Sequence, residues 1–71
     1  MNESNMMIKV GEKIKALRVR KNMTQNDLAM ECDFEKASMS RIESGQSNPT
    51  LRTLYKICIA LDVNLAELFS E

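Results

Sequence analysis

The stretch that decides the fold is TQNDLAMECDFEKASMSRIESG, residues 24–45. Thr24 reads as a helix N-cap, its hydroxyl placed to accept from the amide of Asp27, and Met23 before it can pack on Leu28 as a hydrophobic staple. Leu28, Ala29 and Cys32 form the inner face of a helix about two turns long. That helix stops at the corner Cys32-Asp33-Phe34, where Phe34, a large apolar residue inside a turn, plugs the joint between helices. The next helix runs over residues 36–44, with Met39 and Ile42 inward at a three-residue interval and Gly45 as its left-handed C-cap. Lys36, Ala37, Ser40 and Arg41 are left facing out.

Working upstream, Val10, Ile14 and Leu17 recur at helical spacing and predict a first helix over residues 8–21, basic on its other face. Residues 1–7 are polar and methionine-rich without periodicity and are expected to form a flexible arm. Downstream, residues 46–49 are a polar loop and Thr50 caps a fourth helix marked by Leu51, Leu54, Ile57, Cys58 and Leu61. Asn64 and Glu67 form an Asn version of the capping box and open a short fifth helix with Leu65, Leu68 and Phe69. No stretch alternates long enough for a strand. The expectation is an all-α, five-helix domain over residues 8–70.

With 71 residues, the chain has room for one domain with a thin apolar core, so association with a second copy would help. Cys32 and Cys58 are too far apart for a metal knuckle and no histidine is present to complete one. Both fall on apolar faces, where a free cysteine behaves as a small hydrophobe, so neither a metal nor a cofactor is expected. No segment approaches about 20 consecutive apolar residues, and the N-terminus lacks a leader pattern. A soluble, cytoplasmic chain is expected. An enzyme is excluded by the lack of His, of a nucleophile with a base in reach, of a phosphate loop and of room for a buried pocket.

The formal net charge is zero, but its distribution is uneven. Residues 9–21 carry Lys9, Lys13, Lys15, Arg18, Arg20 and Lys21 against Glu12 alone, whereas from Asp62 onward there are Asp62, Glu67 and Glu71 and no base. One end is cationic and the other anionic.

Two short helices joined by a tight corner, the second exposing polar side chains, is the geometry that places a helix in the DNA major groove. The finer pattern is Met23-Thr24-Gln25, Leu28-Ala29, Phe34, Met39-Ser40, Ile42-Glu43 and Gly45. It continues with Pro49, Leu54, Ile57, Leu61-Asp62-Val63 and Leu65-Glu67-Leu68-Phe69. This resembles the XRE family, the Cro and phage-repressor type of helix-turn-helix, over almost the whole chain, and is similar to small single-domain controller proteins. The resemblance implies a repressor-type domain whose helix-turn-helix is formed by helices 2 and 3. Gln25 matches a glutamine that reaches a phosphate and braces the recognition helix. Lys36, Ala37 and Arg41, with Ser40 nearby, match positions facing base edges; Arg and Lys can donate to guanine O6 and N7, and Ala37 suits a thymine methyl. Ser44, Gln46, Ser47 and Asn48 match a loop that hydrogen-bonds phosphates. Arg18 and Glu43 match an internal ion pair between the first and third helices.

Two positions depart from the family pattern. Asp33 stands where glycine is usual and tolerates the left-handed conformation; Glu35 stands where a small polar cap is usual and puts a negative charge beside DNA. The segment carries Asp27, Glu31, Asp33, Glu35 and Glu43 against Lys36 and Arg41, implying modest affinity per monomer and strong salt dependence.

One recognition helix reads few base pairs, so a homodimer on a palindrome of double-stranded DNA is expected. Tyr55, Ile59, Leu65 and Phe69 are the candidate dimer face. The expected function is a sequence-specific transcriptional repressor or activator without a small-molecule effector. The alternative is an antitoxin or anti-repressor whose main partner is another protein.

Overall fold

The computed structural model describes residues 2–70. Over them run four α-helices, α1 Glu3–Arg20, α2 Gln25–Glu31, α3 Lys36–Glu43 and α4 Leu51–Leu61, followed by a 3-10 helix, Leu65–Phe69. The described residues contain no strand. The fifth helix predicted from the Asn64 cap is therefore a 3-10 helix. Asn64 does accept from the Glu67 amide at 3.2 Å, but five residues suit i→i+3 closure better than α-helical turns.

The first helix begins at Glu3 rather than Ile8, which corrects the flexible arm expected at residues 1–7; Met1 lies outside the described residues. Asn2 supplies the cap, its side chain accepting from the Asn5 amide at 2.8 Å, and Glu3 in the first turn suits the positive end of the helix dipole. Met7 also continues the stripe of Val10, Ile14 and Leu17 by one turn and lines an apolar groove with Val10, Leu54 and Phe69.

The core holds Val10, Ile14 and Leu17 of α1, Leu28 and Ala29 of α2 with Cys32, Met39 and Ile42 of α3, Leu54, Ile57, Cys58 and Leu61 of α4, and Leu68. Burial of each larger side chain contributes about 1.5–3 kcal/mol. Phe34 is half-buried against this core, and the Lys56 ammonium lies 5.7 Å from its ring centroid. Leu51, expected on the inward stripe of α4, is 66% exposed. It sits in the first turn, short of the core, and walls the same groove as Met7 and Phe69.

The two glycines work differently. Gly45 takes φ +77° after α3, and the closing pair Gly45 N–H to Ile42 C=O and Gln46 N–H to Arg41 C=O ends the helix as predicted. Gly11 lies inside α1, where a Cβ would come within 2.5 Å of the Ile42 carbonyl oxygen and 2.6 Å of the Glu43 carbonyl oxygen. Only a glycine allows α1 to rest on the last turn of α3.

Candidate nucleic-acid interface

The outward surface of α3 follows from its inward one. With Met39 and Ile42 in the core, Lys36, Ala37, Ser40 and Arg41 are exposed, with Ser44 at its end. Neither Lys36 nor Arg41 has a side-chain hydrogen bond or ion pair within the described residues. The Ser44 hydroxyl donates back to the Arg41 carbonyl at 3.2 Å. Glu35 precedes α3 without a side-chain capping bond, which fits the weak cap read from the sequence.

Beneath α3 lies a buried ion pair. Arg18 and Glu43, 8% and 5% exposed, meet side-on. Arg18 Nε donates to Glu43 Oε2 at 2.7 Å and Nη2 to Oε1 at 3.1 Å. Arg18 Nη1 donates to the Met23 carbonyl at 2.6 Å. Gln25 Nε2 donates to Glu43 Oε1 at 3.0 Å, so one carboxylate joins α1, the start of α2 and the end of α3. One Gln25 N–H is thereby engaged internally, and its second remains available outward. The pair is an internal tie, and Arg18 does not count among the cations a ligand can reach.

The start of α2 is held by a reciprocal capping box. Thr24 Oγ1 accepts from the Asp27 amide at 3.0 Å, and Asp27 Oδ2 accepts from the Thr24 amide at 2.9 Å. The Thr24 amide, and secondarily its hydroxyl, hold the Asp27 carboxyl below the usual carboxylate range. The predicted cap thus keeps Asp27 ionised, and its negative charge still counts against DNA binding.

After α3, Gln46 and Asn48 are exposed and Ser47 is half-buried; Asn48 Nδ2 donates to Glu3 Oε1 at 3.3 Å. Between α3 and α4 runs an open groove of about 340 Å³ bordered by Phe34, Ser38, Arg41, Ser47, Asn48 and Thr53, among others. Ser38 and Thr53 passed unnoticed in the sequence. Ser38 lies between the outward and inward positions of α3, and Thr53 is recognisable only once α3 and α4 are seen side by side.

Of the residues nominated for a dimer face, Tyr55, Ile59 and Phe69 are exposed while Leu65 is half-buried against the core. They do not share one recess. Tyr55 and Ile59 border a cleft with Glu31, Asp33 and Lys56, and Phe69 borders the apolar groove beside Met6, Met7 and Leu51. Cys32 and Cys58 are both buried free thiols. Burial pushes each thiol up from its ordinary value, for Cys32 with help from the Glu31 carboxylate.

A helix-turn-helix domain is defined by this arrangement: α2 laid across α3, a left-handed corner at Asp33, and an outer helix whose exposed Lys36 and Arg41 have no side-chain partner among the described residues. The chain belongs to the helix-turn-helix family, whose model matches residues 14–68, and within it to the XRE-type DNA-binding transcription regulators. It is 36% identical over 69 residues to the control protein C.MunI from Mycoplasma sp, spanning 96% of this chain and 93% of that protein. Its fold is similar to the restriction-modification controller protein C.AhdI from Aeromonas hydrophila, with a TM-score of 0.86, 32% identity, and coverage of 89% of this chain and 96% of that one. It is also similar to the controller protein C.Esp1396I, solved as a tetramer in complex with its natural 35 base-pair operator. There the TM-score is 0.82 and identity 34%, over 90% of this chain and 84% of that one.

Proposed function

We propose that this protein is a sequence-specific, cytoplasmic transcriptional regulator of the controller type, binding a palindromic operator as a homodimer with α3 in the major groove. The observation that carries this reading is the outer face of α3. Lys36 and Arg41 stand there without side-chain partners among the described residues, above a buried Arg18–Glu43 pair that fixes the helix from behind. Lys36, Ala37 and Arg41 are offered to base edges with Ser40 beside them. Gln25, Ser44, Gln46, Ser47 and Asn48 border that face and serve phosphates, which set position without carrying sequence. Tyr55, Ile59, Leu65 and Phe69 are the residues from which the dimer contact is drawn. The likeness to controller proteins, one of them bound to its operator, favours this reading over an antitoxin.

The test is a mobility-shift titration on a palindromic fragment from the protein's own promoter. A specific shift at physiological salt is expected, and Arg41→Ala is expected to flatten the preference between operator and scrambled DNA. Equal binding of the unaltered protein to both would overturn specific regulation.

A further inference from the structure

We infer that the groove between α3 and α4 seats a backbone phosphate of the bound DNA, held by the hydroxyls of Ser38 and Thr53 beside the Arg41 guanidinium. This rests on α3 lying in the major groove. A helix with its side chains is about 10–12 Å across and the B-form major groove about 12 Å wide. A helix filling that space has a phosphate wall on each flank. On one flank of α3, Glu43 is closed off by Arg18 and Gln25. The other flank is the open groove.

Three features of the groove fit a phosphodiester. Among the described residues no carboxylate lines it, in a chain whose helix-turn-helix segment is rich in acids. Among the described residues Arg41 is its single lining cation, and its side chain has no internal partner there. A guanine edge takes two of its five N–H donors, leaving others for a phosphate oxygen. The hydroxyls are also set up to donate. Thr50 Oγ1 accepts from the Thr53 amide at 3.2 Å and donates to Thr53 Oγ1 at 3.1 Å. Thr53 therefore already accepts, and its own hydrogen is free for an outside acceptor. Ser38 and Ser47 have no side-chain hydrogen bond within the described residues, whereas the Asn48 amide is turned to Glu3.

Ser38→Ala and Thr53→Val remove the donors while preserving shape, and Thr53→Val keeps the amide that Thr50 caps. Each is expected to weaken binding about three- to tenfold, by the same factor on operator and on scrambled DNA, with thermal melting unchanged. A scan of the operator with single neutral methylphosphonate linkages locates the phosphate. One position per half-site is expected to weaken the unaltered protein and to leave the Ser38→Ala/Thr53→Val double variant unaffected. Variants that bind like the unaltered protein, or that lose affinity only for the operator, overturn the assignment. So does a scan in which the double variant loses affinity at every position that the unaltered protein does. Unaltered protein that fails to bind DNA at all refutes the functional reading itself, which separates the two failures.

Discussion

Glu43 is the side chain on which most converges: its two oxygens accept from Arg18 Nε and Nη2 and from Gln25 Nε2. Removing one partner of a buried pair leaves the other charge without compensation, at a cost of about 3–5 kcal/mol. A domain of this size has roughly 4–10 kcal/mol of stability in all. Glu43→Ala is therefore expected to lower the melting temperature by at least about 10 °C in a calorimetric scan, with Arg18→Met/Glu43→Leu recovering much of the loss. A melting temperature within a degree or two of the original would show the pair to be dispensable. The sequence pattern placed this pair only through the family resemblance. Nothing in spacing alone links positions 18 and 43, since the link is made by three helices meeting. Counted as formal charge, Glu43 made the helix-turn-helix look more acidic than it presents itself, because Arg18 cancels it inside the fold.

The same left-handed closure follows each of the four helices, at Asn22, Asp33, Gly45 and Asp62, all with φ between 58° and 77°. The starts are less uniform. Asn2, Thr24 and Thr50 cap with side chains, while Glu35 leaves α3 uncapped. Glu35→Ser is accordingly expected to raise stability by about 1 kcal/mol in denaturant titration and to tighten DNA binding by removing a negative charge beside it. A variant no more stable than the original would mean that α3 is set by its core contacts alone. Caps and corners are local chemistry, so α2, α3 and the turn between them were legible from residues 24–45. The start of α1 was not: its Asn2 cap is as local as the others, but no apolar period marks residues 3–6, and Met7 takes its place only beside the groove it shares with Leu54 and Phe69, which lie far along the chain.

At the scale of the molecule, two apolar exposures lie on separate recesses. The Tyr55 and Ile59 cleft is edged by Glu31, Asp33 and Lys56, whereas among the described residues no ionisable one lines the Phe69 groove. Interface centres are depleted in charge, so Phe69 is expected to contribute most to a dimer contact. Phe69→Asp is expected to shift the protein to monomer in sedimentation equilibrium at tens of micromolar and to weaken operator binding, while Ile59→Asp shifts the association state less. The opposite ranking would move the dimer face to the other cleft. Sequence periodicity named both residues as surplus to the core but held no information on which recess each would enter.

The close approach of α1 to α3 at Gly11 also governs how the chain can diverge. Every other residue type carries a Cβ, and that atom meets backbone oxygens, which cannot rotate aside as a side chain does. In a library sampling all amino acids at each position and selected for operator binding, position 11 is expected to return glycine almost alone, while the neighbouring Glu12 accepts most replacements. The tilt of α3 against DNA would thus be inherited through a residue that touches no base, no phosphate and no partner, leaving specificity free to drift at Lys36, Ala37 and Arg41.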